Sequence, residues 1–429
     1  PKGDSNIFGN NVKTSIFIRV FYHFALYSIY MATKSIKSTA VIIIPTYNEA
    51  ENIGKMIEYL NTKTFVDIKN KKNNLSYDWQ MKILVVDGNS PDGTGKIVQN
   101  LSKKYKNTFL YTETSKDGIG AAYLKGFKYA KDELKADFVF EFDGDFQHPP
   151  ETIPVMLKAM EEGYDYVIGS RKVKGGSNPK GWGFKRVFFS EVGGFTARLM
   201  MFFPFKNFFK VTDPTTGLKV TRVKGFIDKM DLDWKGSRLL TRSFGYKLQL
   251  LFETLKMGAK FKEIPLQFHV RNAGESKIEA KTAKDIFRVA FLLRWRDDFT
   301  QKFLKFGTVG FIGYLVNAIF LNIFSKSWSI EWLSWFLSTE LAIISNFILN
   351  NFWTFKKDKI SGINQLFGKF FQFNFTSMGA LLIQTVAGSI GVKFFGGNSR
   401  QILLPFIIIF LVLPYNWFMY NTVIWKNKK

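Results

Sequence analysis

Acidic residues follow three short apolar runs of this chain, each in a sequence typical of a turn. The runs end in Pro45-Thr46-Tyr47-Asn48-Glu49, Asp87-Gly88-Asn89-Ser90-Pro91-Asp92 and Asp143-Gly144-Asp145-Phe146-Gln147-His148. Two carboxylates one residue apart on a bent chain can both reach one divalent cation, and such hard oxygen ligands select Mg²⁺ or Mn²⁺. Each segment alone has an ordinary structural interpretation, because Ser-Pro-Asp-Gly also forms turns before helices and Asp-x-Asp is common.

The segments that position these acids predict an α/β fold with a mostly parallel sheet. Short β-rich runs alternate with amphipathic segments over residues 39 to about 270, which is the pattern of strands joined by crossover helices. The predicted strands are Ala40–Ile44, Lys82–Val86, Thr108–Tyr111, Phe138–Phe142 and Tyr166–Gly169. Ligands of such sheets bind beyond the carboxyl ends of the strands, where all three acidic turns lie.

Composition narrows the partners and the chemistry. The chain of 429 residues has 60 Lys and Arg against 35 Asp and Glu, a net charge of +25. This positive charge predicts an anionic partner, which could be nucleic acid, phospholipid headgroups or a phosphorylated ligand. The absence of Cys excludes disulfides, thiolate metal sites and a Cys nucleophile, and three His argue against a multi-His metal site. We expect no nucleic acid partner, because no basic stripe with interleaved aromatic residues occurs outside the apolar C-terminal region.

The C-terminal third predicts a multi-pass membrane domain. Residues 303–324, 332–355, 367–395 and 402–425 are apolar and long enough to cross about 30 Å of hydrocarbon. Lys and Arg flank these stretches so that the N-terminal domain and the C-terminus are expected in the cytoplasm. The predicted division is an N-terminal extension at 1–38, interpreted as an interfacial helix, a catalytic domain at 39–279, an amphipathic interface helix at 280–300 and a four-helix membrane domain at 301–429.

Together and in this order, the acidic turns resemble those of family 2 glycosyltransferases with the GT-A fold, and most closely the dolichyl-phosphate (polyprenyl-phosphate) mannose synthases. The resemblance covers about residues 39 to 280. The membrane part resembles the GtrA-like domain fused to some prokaryotic members, which implies an archaeal or bacterial cell membrane. Further matching segments are Gly169-Ser170-Arg171, Lys174-Gly175-Gly176, Asp213-Pro214-Thr215-Thr216-Gly217 and Arg271-Asn272-Ala273-Gly274-Glu275-Ser276-Lys277.

The resemblance implies a role for individual residues. Nucleotide binding falls to Pro45, Tyr47, Glu49, Asp87, Asp143, Asp145 and Gln147. The last three, Asp143, Asp145 and Gln147, would hold Mg²⁺ or Mn²⁺ against the donor diphosphate. Lipid-phosphate binding falls to Arg171, Lys174, Arg186, Ser190 and Arg271, and the catalytic residues would be Asp145, Arg171 and Arg271. One position departs from the family: Gly88 stands where a second acid usually follows the first, so a nucleotide contact is missing or supplied elsewhere.

The implied function is inverting transfer of mannose from GDP-mannose to dolichyl or polyprenyl phosphate at the cytoplasmic membrane face. Two alternatives stay open at this point: a UDP-glucose polyprenyl-phosphate glucosyltransferase, and a lipid-linked sugar transporter with a regulatory sugar-nucleotide-binding domain. Processive polysaccharide synthases share the fold but use a Gln-x-x-Arg-Trp signature, and here Arg294-Trp295 lacks the Gln. Polar and small residues in the membrane helices further predict self-association.

Overall fold

The computed structural model describes residues 36–179, 181–236, 239–270, 280–327, 331–396 and 399–425. The chain divides into two compact units between Arg294 and Trp295. The predicted interfacial helix near the N-terminus and the segment from Arg271 to Lys277 lie outside the described residues.

A seven-stranded sheet forms the centre of the first unit. Its order is β3-β2-β1-β4-β6-β5-β7, and every pair is parallel except that β6 runs antiparallel to β4 and β5. The five predicted strands and the mostly parallel sheet are confirmed, and two more strands complete it. The strands are β1 (Lys37–Thr46), β2 (Asp78–Asp87), β3 (Thr108–Thr112), β4 (Phe138–Glu141), β5 (Tyr166–Ser170), β6 (Lys219–Arg222) and β7 (Phe261–Pro265).

Helices cover both faces of this sheet, as the continuous apolar run of β1 requires. Ile42 and Ile44 belong to one hydrophobic core, whereas Val41 and Ile43 belong to a second core on the opposite face. The helices of the unit are α1 (Ala50–Tyr59), α2 (Phe65–Lys69), α3 (Thr94–Lys104), α4 (Ile119–Asp132), α5 (Thr152–Glu161), α6 (Phe184–Phe202), α7 (Asn207–Lys210), α8 (Tyr246–Lys256) and α9 (Ala280–Trp295).

Helix α9 occupies most of the predicted interface segment. Its side chains Val289, Ala290 and Leu293 are buried in a third hydrophobic core together with Leu251 and Leu255 of α8. Part of the apolar face that was expected on the membrane surface therefore contacts protein.

The helices of the second unit coincide with the four predicted apolar stretches. They are α10 (Asp298–Ser327), α11 (Glu331–Leu349), α12 (Ile363–Phe395), α13 (Arg400–Ile407) and α14 (Leu413–Met419). Helix α11 continues as a π-helical turn at Asn350–Thr354, and π-helical turns at Ile408–Val412 and Tyr420–Ile424 join and extend α13 and α14. Within the part of the chain that the structure describes, one helix, Asp298–Phe324, is both long and apolar enough to cross a membrane.

Candidate active site

The carboxyl ends of β1 and β2 are joined by hydrogen bonds between their turns. The Thr46 hydroxyl donates to Asp87 Oδ1 at 2.9 Å, the Asn48 N–H donates to Ser90 Oγ at 3.0 Å, and the Ala50 N–H donates to Asp92 Oδ2 at 3.0 Å. These bonds fix the predicted nucleotide-binding residues of the first turn, Pro45, Tyr47 and Glu49, beside the second turn.

Asp87 holds the two turns together. It is buried, and its carboxylate accepts hydrogen bonds from the Thr46 hydroxyl and from both the backbone N–H and the hydroxyl of Ser90. The Glu113 N–H donates to the Asp87 backbone oxygen at 2.8 Å, which places the residue that follows β3 at the same corner. The Asp87 carboxylate is therefore engaged with protein groups.

All three strand-end turns contain a non-glycine residue in the left-handed region. The φ values are 55° for Asn48, 57° for Asn89 and 63° for Phe146. Such conformations cost free energy and persist where the surrounding structure fixes them, commonly at functional sites. Three of the seven non-glycine residues with positive φ in the described part of the chain thus lie at these neighbouring strand ends.

The Asp143–Gln147 turn, which follows β4, presents three oxygen-bearing side chains. The Gln147 N–H donates to Asp145 Oδ1 at 3.1 Å, which closes the turn. The Gln147 side-chain amide donates to the His269 carbonyl oxygen at 3.4 Å, which leaves its amide oxygen for another partner. No cluster of three or more His, Cys, Asp or Glu side chains occurs among the described residues. Two carboxylates and one amide oxygen suit a hard cation that takes its remaining ligands from a diphosphate.

A buried lysine and a buried histidine lie next to Asp143. Lys247, on α8, has its Nζ 3.9 Å from Asp143 Oδ2, and its side chain is 3% exposed. His148 Nδ1 accepts the Asp143 N–H at 3.2 Å, so this nitrogen carries no proton. Burial lowers the pKa of His148 although the Asp143 carboxylate opposes the shift, which agrees with a neutral ring.

Gly217 allows these groups to approach one another. A Cβ at position 217 would lie 2.6 Å from Lys247 Nζ, 2.7 Å from His148 Cε1 and 3.0 Å from Asp143 Oδ2. Since real Cβ atoms essentially never come within 3.0 Å of another heavy atom, a side chain here would displace the turn's support. The Asp213–Gly217 segment thus contributes to the site by having no side chain at its last residue.

Arg171, at the end of β5, forms a buried bidentate ion pair with Asp213. Its Nε and Nη2 donate to the two carboxylate oxygens at 2.7 Å each, and Nη2 also donates to Thr215 Oγ1 at 3.2 Å. Burial raises the pKa of Asp213, but the Arg171 guanidinium outweighs it and the pKa lies below its usual range. Among the described residues, none accepts a hydrogen bond from Nη1.

Two aromatic rings bring Arg171 close to the other predicted groups. The ring of Phe268 lies 5.3 Å from the His148 ring and 5.7 Å from Arg171 Cζ. Trp182 lies 4.2 Å from Arg186 Cζ and 5.9 Å from Arg171 Cζ. The acidic turn, Arg171 and Arg186 therefore surround one region.

Helix α6 carries two of the predicted lipid-phosphate ligands on one face. Arg186 and Ser190 are one helical turn apart, on the side that farther along holds buried Ala197 and Met201. Lys174 is exposed in the turn after β5. The structure thus places Arg186 and Ser190 on the inward side of α6, and no described contact joins Lys174 to the site.

Sequence reasoning did not find Lys247 or the steric role of Gly217. Lys247 stands in an amphipathic segment where a lysine is normally solvated, and only the fold shows that it is buried beside Asp143. Gly217 belonged to a matched segment but had no role assigned to it.

Comparison with known sequences decides the family. The profile for Glycosyl transferase family 2 matches residues 41–226, and that for the GtrA/DPMS transmembrane domain matches residues 305–425. Dolichol-phosphate mannosyltransferase of Pyrococcus furiosus is 31% identical over 378 residues, which are 86% of this chain and 97% of that protein. The chain belongs to the dolichol-phosphate mannosyltransferase family.

A second member of the family extends the comparison to another lipid. Undecaprenyl-phosphate mannosyltransferase of Micrococcus luteus is 30% identical over 257 residues, which cover 59% of this chain and 94% of that protein. Among solved structures, mannosyl-3-phosphoglycerate synthase from Rubrobacter xylanophilus is similar over 61% of this chain and 76% of that chain, with a TM-score of 0.42 and 16% identity.

The predicted resemblance and fold class are confirmed. The protein is a family 2 glycosyltransferase with a GT-A domain followed by a GtrA-like transmembrane domain, and it is therefore a membrane protein. The acidic turns, Arg171, Arg186 and Ser190 all lie within the matched glycosyltransferase region, residues 41–226.

Proposed function

We propose that this protein transfers mannose from GDP-mannose to the phosphate of dolichol or another polyprenol at the cytoplasmic membrane face. The observation that carries the proposal is the match to the Pyrococcus furiosus dolichol-phosphate mannosyltransferase, which spans 97% of that protein and includes both the catalytic and the membrane parts. A relative named for undecaprenyl phosphate supports a polyprenyl phosphate as acceptor class.

The donor is assigned to the corner formed by the three acidic turns. Tyr47 lies beside Gly88, and Lys116 Nζ lies 3.6 Å from the centre of the Tyr47 ring, so a base bound here meets an aromatic and a cationic group. Asp143, Asp145 and Gln147 would hold Mg²⁺ or Mn²⁺. When bound, the cation neutralises charge on the donor diphosphate as it leaves.

The acceptor phosphate is assigned to the region bounded by Arg171, Arg186 and Ser190. Arginine suits this task because its guanidinium stays charged and can donate several hydrogen bonds to phosphate oxygens. Asp213 orients the Arg171 fork and leaves Nη1 for the lipid phosphate, while Arg186 and Ser190 contribute from α6. Arg271 keeps its proposed role as a further phosphate ligand.

The reaction is a single displacement. A phosphate oxygen of the acceptor forms a bond to the anomeric carbon, the bond from that carbon to the diphosphate oxygen breaks with its electron pair, and GDP leaves with inversion of configuration. The acceptor phosphate is ionised at neutral pH, so no strong general base is required. The residues of the site act by holding two anions in line and offsetting their repulsion.

The membrane part accounts for access to a lipid acceptor. Lys302, Lys305, Lys356, Lys357 and Lys359 flank the first two helical stretches, which favours a cytoplasmic catalytic domain. Self-association of the membrane helices stays a prediction.

The proposal is tested by donor choice. Purified protein in detergent, with Mn²⁺ or Mg²⁺ and dolichyl phosphate, is incubated in parallel with labelled GDP-mannose and labelled UDP-glucose, and label is counted in the organic phase. We expect lipid label from GDP-mannose. Label from UDP-glucose alone would make the enzyme a glucosyltransferase. Label from neither donor would point first to another sugar nucleotide and then to the sugar-transport alternative.

A further inference from the structure

The family resemblance implies a second acid after Asp87, and this chain has Gly88 at that position. In Asp87, directly before it, both carboxylate oxygens already accept hydrogen bonds from Thr46 and Ser90. A base whose N–H groups face this corner needs another acceptor.

Glu113 brings a carboxylate to the vacant position from the neighbouring strand. A Cβ built on Gly88 would lie 3.5 Å from Glu113 Oε2 and 3.4 Å from Tyr47 Cδ2. The Glu113 N–H bonds to the Asp87 backbone oxygen, which fixes its main chain, and the side chain is only 3% exposed. The carboxylate therefore lies next to the point where the side chain of an acid at 88 would begin.

A buried lysine holds this carboxylate in place. Lys125 Nζ lies 2.6 Å from Glu113 Oε1 and 2.6 Å from Asp117 Oδ2, and it also lies 3.9 Å from the ring centre of Trp234. The Oε1 atom is thus oriented toward Lys125, while Oε2 faces Gly88 and Tyr47. None of these residues is one of the predicted metal ligands.

An acid at 88 and an acid at 113 exclude each other electrostatically. Burial raises the pKa of Glu113, and nearby Asp117 and Asp87 raise it further, against the opposing effect of Lys125. Another carboxylate within about 4 Å would favour the neutral form of one of the two. Glycine at 88 avoids this conflict, and N–H donors from a ligand would favour the ionised form of Glu113.

We propose that Glu113 is the specificity-determining acceptor for guanine in the donor site and replaces the acid absent from position 88. A carboxylate accepts hydrogen bonds only. Guanine presents N1–H and the exocyclic amine side by side, whereas uracil presents one N–H between two carbonyl oxygens that a carboxylate repels. Glu113 therefore favours GDP over UDP. The inference rests on the proposed GDP-mannose donor.

The test measures nucleotide binding to the full-length protein in detergent with Mn²⁺, by calorimetry, with GDP, IDP, 2′-deoxy-GDP and UDP. IDP lacks the exocyclic amine of guanine. The variant is Glu113→Gln, and the matched control is Asp117→Asn, which also removes one carboxylate from Lys125 but does not face Gly88. Thermal unfolding of both variants measures how much stability each loses when its bond to Lys125 is weakened.

Loss of a charged hydrogen-bond acceptor should weaken GDP binding by about 10- to 100-fold in Glu113→Gln and bring GDP and IDP close to equal affinity. We expect Asp117→Asn to bind GDP within about threefold of the wild type, since Lys125 keeps its ion pair with Glu113 in this variant. Adding Gly88→Asp to Glu113→Gln should restore a preference for GDP over IDP.

Two results would overturn the inference while leaving the proposed donor intact. One is equal weakening of GDP binding by Glu113→Gln and Asp117→Asn. The other is an unchanged ratio of GDP to IDP affinity with a changed ratio of GDP to 2′-deoxy-GDP, which would place Glu113 on the ribose. A wild-type protein that binds UDP but not GDP would instead refute the proposed donor, and this inference with it.

Discussion

Replacing Gly217 with alanine should disable the acidic turn without replacing any of its oxygen ligands. The added Cβ would lie 2.6 Å from Lys247 Nζ and 2.7 Å from His148 Cε1, about 0.8 and 0.7 Å short of the 3.4 Å at which ordinary van der Waals contact begins. The lysine chain can bend, but the His148 ring is fully buried and contacts Phe142 and Phe268. The histidine must therefore carry part of the displacement.

That displacement is transmitted to Asp143, because His148 accepts its backbone N–H. Overpacking of this kind costs about 1–3 kcal/mol of stability. A shift of a fraction of an ångström at a group that positions the donor costs on the order of 10- to 100-fold in turnover. We therefore expect Gly217→Ala to fold, to unfold a few degrees below the wild type, and to lose most of its transfer activity and Mn²⁺ affinity.

The assay compares initial rates of mannose transfer and Mn²⁺ binding by electron paramagnetic resonance, with thermal unfolding as the structural control. Gly54→Ala is the matched substitution, since its Cβ would meet Ile97 Cγ2 at 3.4 Å, an ordinary contact on a helix. Wild-type rate and Mn²⁺ affinity in Gly217→Ala would refute the reasoning that the contact of Gly217 with His148 and Lys247 supports the turn.

Three further outcomes follow from buried polar groups. Asp213→Asn leaves the Arg171 guanidinium, which is 8% exposed, without its counter-ion and should lower the free energy of unfolding by about 3–5 kcal/mol. Because the folded-state pKa of Asp213 is lowered, the wild type should lose this stability as pH falls through that pKa. Unfolding temperatures measured at decreasing pH should therefore fall less in the variant than in the wild type. Burial lowers the pKa of Lys219 to about 8 from 10.5, so the unfolded chain binds more protons than the folded protein between these pH values. The free energy of unfolding should therefore rise with pH by at most about 3 kcal/mol. Unfolding temperatures at pH 7.5 and 9.5 should show this rise in the wild type and a smaller rise in Lys219→Met. In the second unit, the Asn351 side chain forms hydrogen bonds with the Ile360 N–H, the Ile360 carbonyl oxygen and the Trp425 Nε1–H. Asn351→Ala should therefore lower the free energy of unfolding in detergent by about 1–3 kcal/mol, whereas Gln372→Ala, at an exposed position, should not. Equal unfolding temperatures for the two variants would contradict this expectation.

The sheet was predictable because its signal is local. Val41–Ile44 is an unbroken β-branched run, and the turns after β1, β2 and β4 carry Asn, Gly and Pro at positions that suit them. Strands β6 and β7 were missed: β6 contains the charged residues Lys219 and Arg222 in only four positions, and β7 contains Lys262 and Glu263. Tertiary partners such as the Lys247 carbonyl oxygen, which accepts a bond from Lys219 Nζ, determine these strands.

Sequence reasoning assigned candidate roles to residues that belong to a turn with its own sequence signature. The predicted roles of Asp143, Asp145 and Gln147 came from a local motif and its resemblance to the family, whereas the contacts of Glu113, Gly217 and Lys247 join segments 25 to 104 residues apart. Arg171 was expected as a lipid-phosphate ligand, but its bidentate bond to Asp213 has no local signal. Distances across the fold decide such contacts, and a single sequence carries no information on them.

The most direct test of the central claim is the initial rate of mannose transfer from labelled GDP-mannose to dolichyl phosphate, measured with wild-type protein and with Asp145→Asn at equal thermal stability. The account predicts a linear, Mn²⁺- or Mg²⁺-dependent appearance of label in the lipid phase for the wild type and a loss of at least about 100-fold in the variant. Equal rates for the two proteins would contradict the assignment of the acidic turn as the centre of transfer.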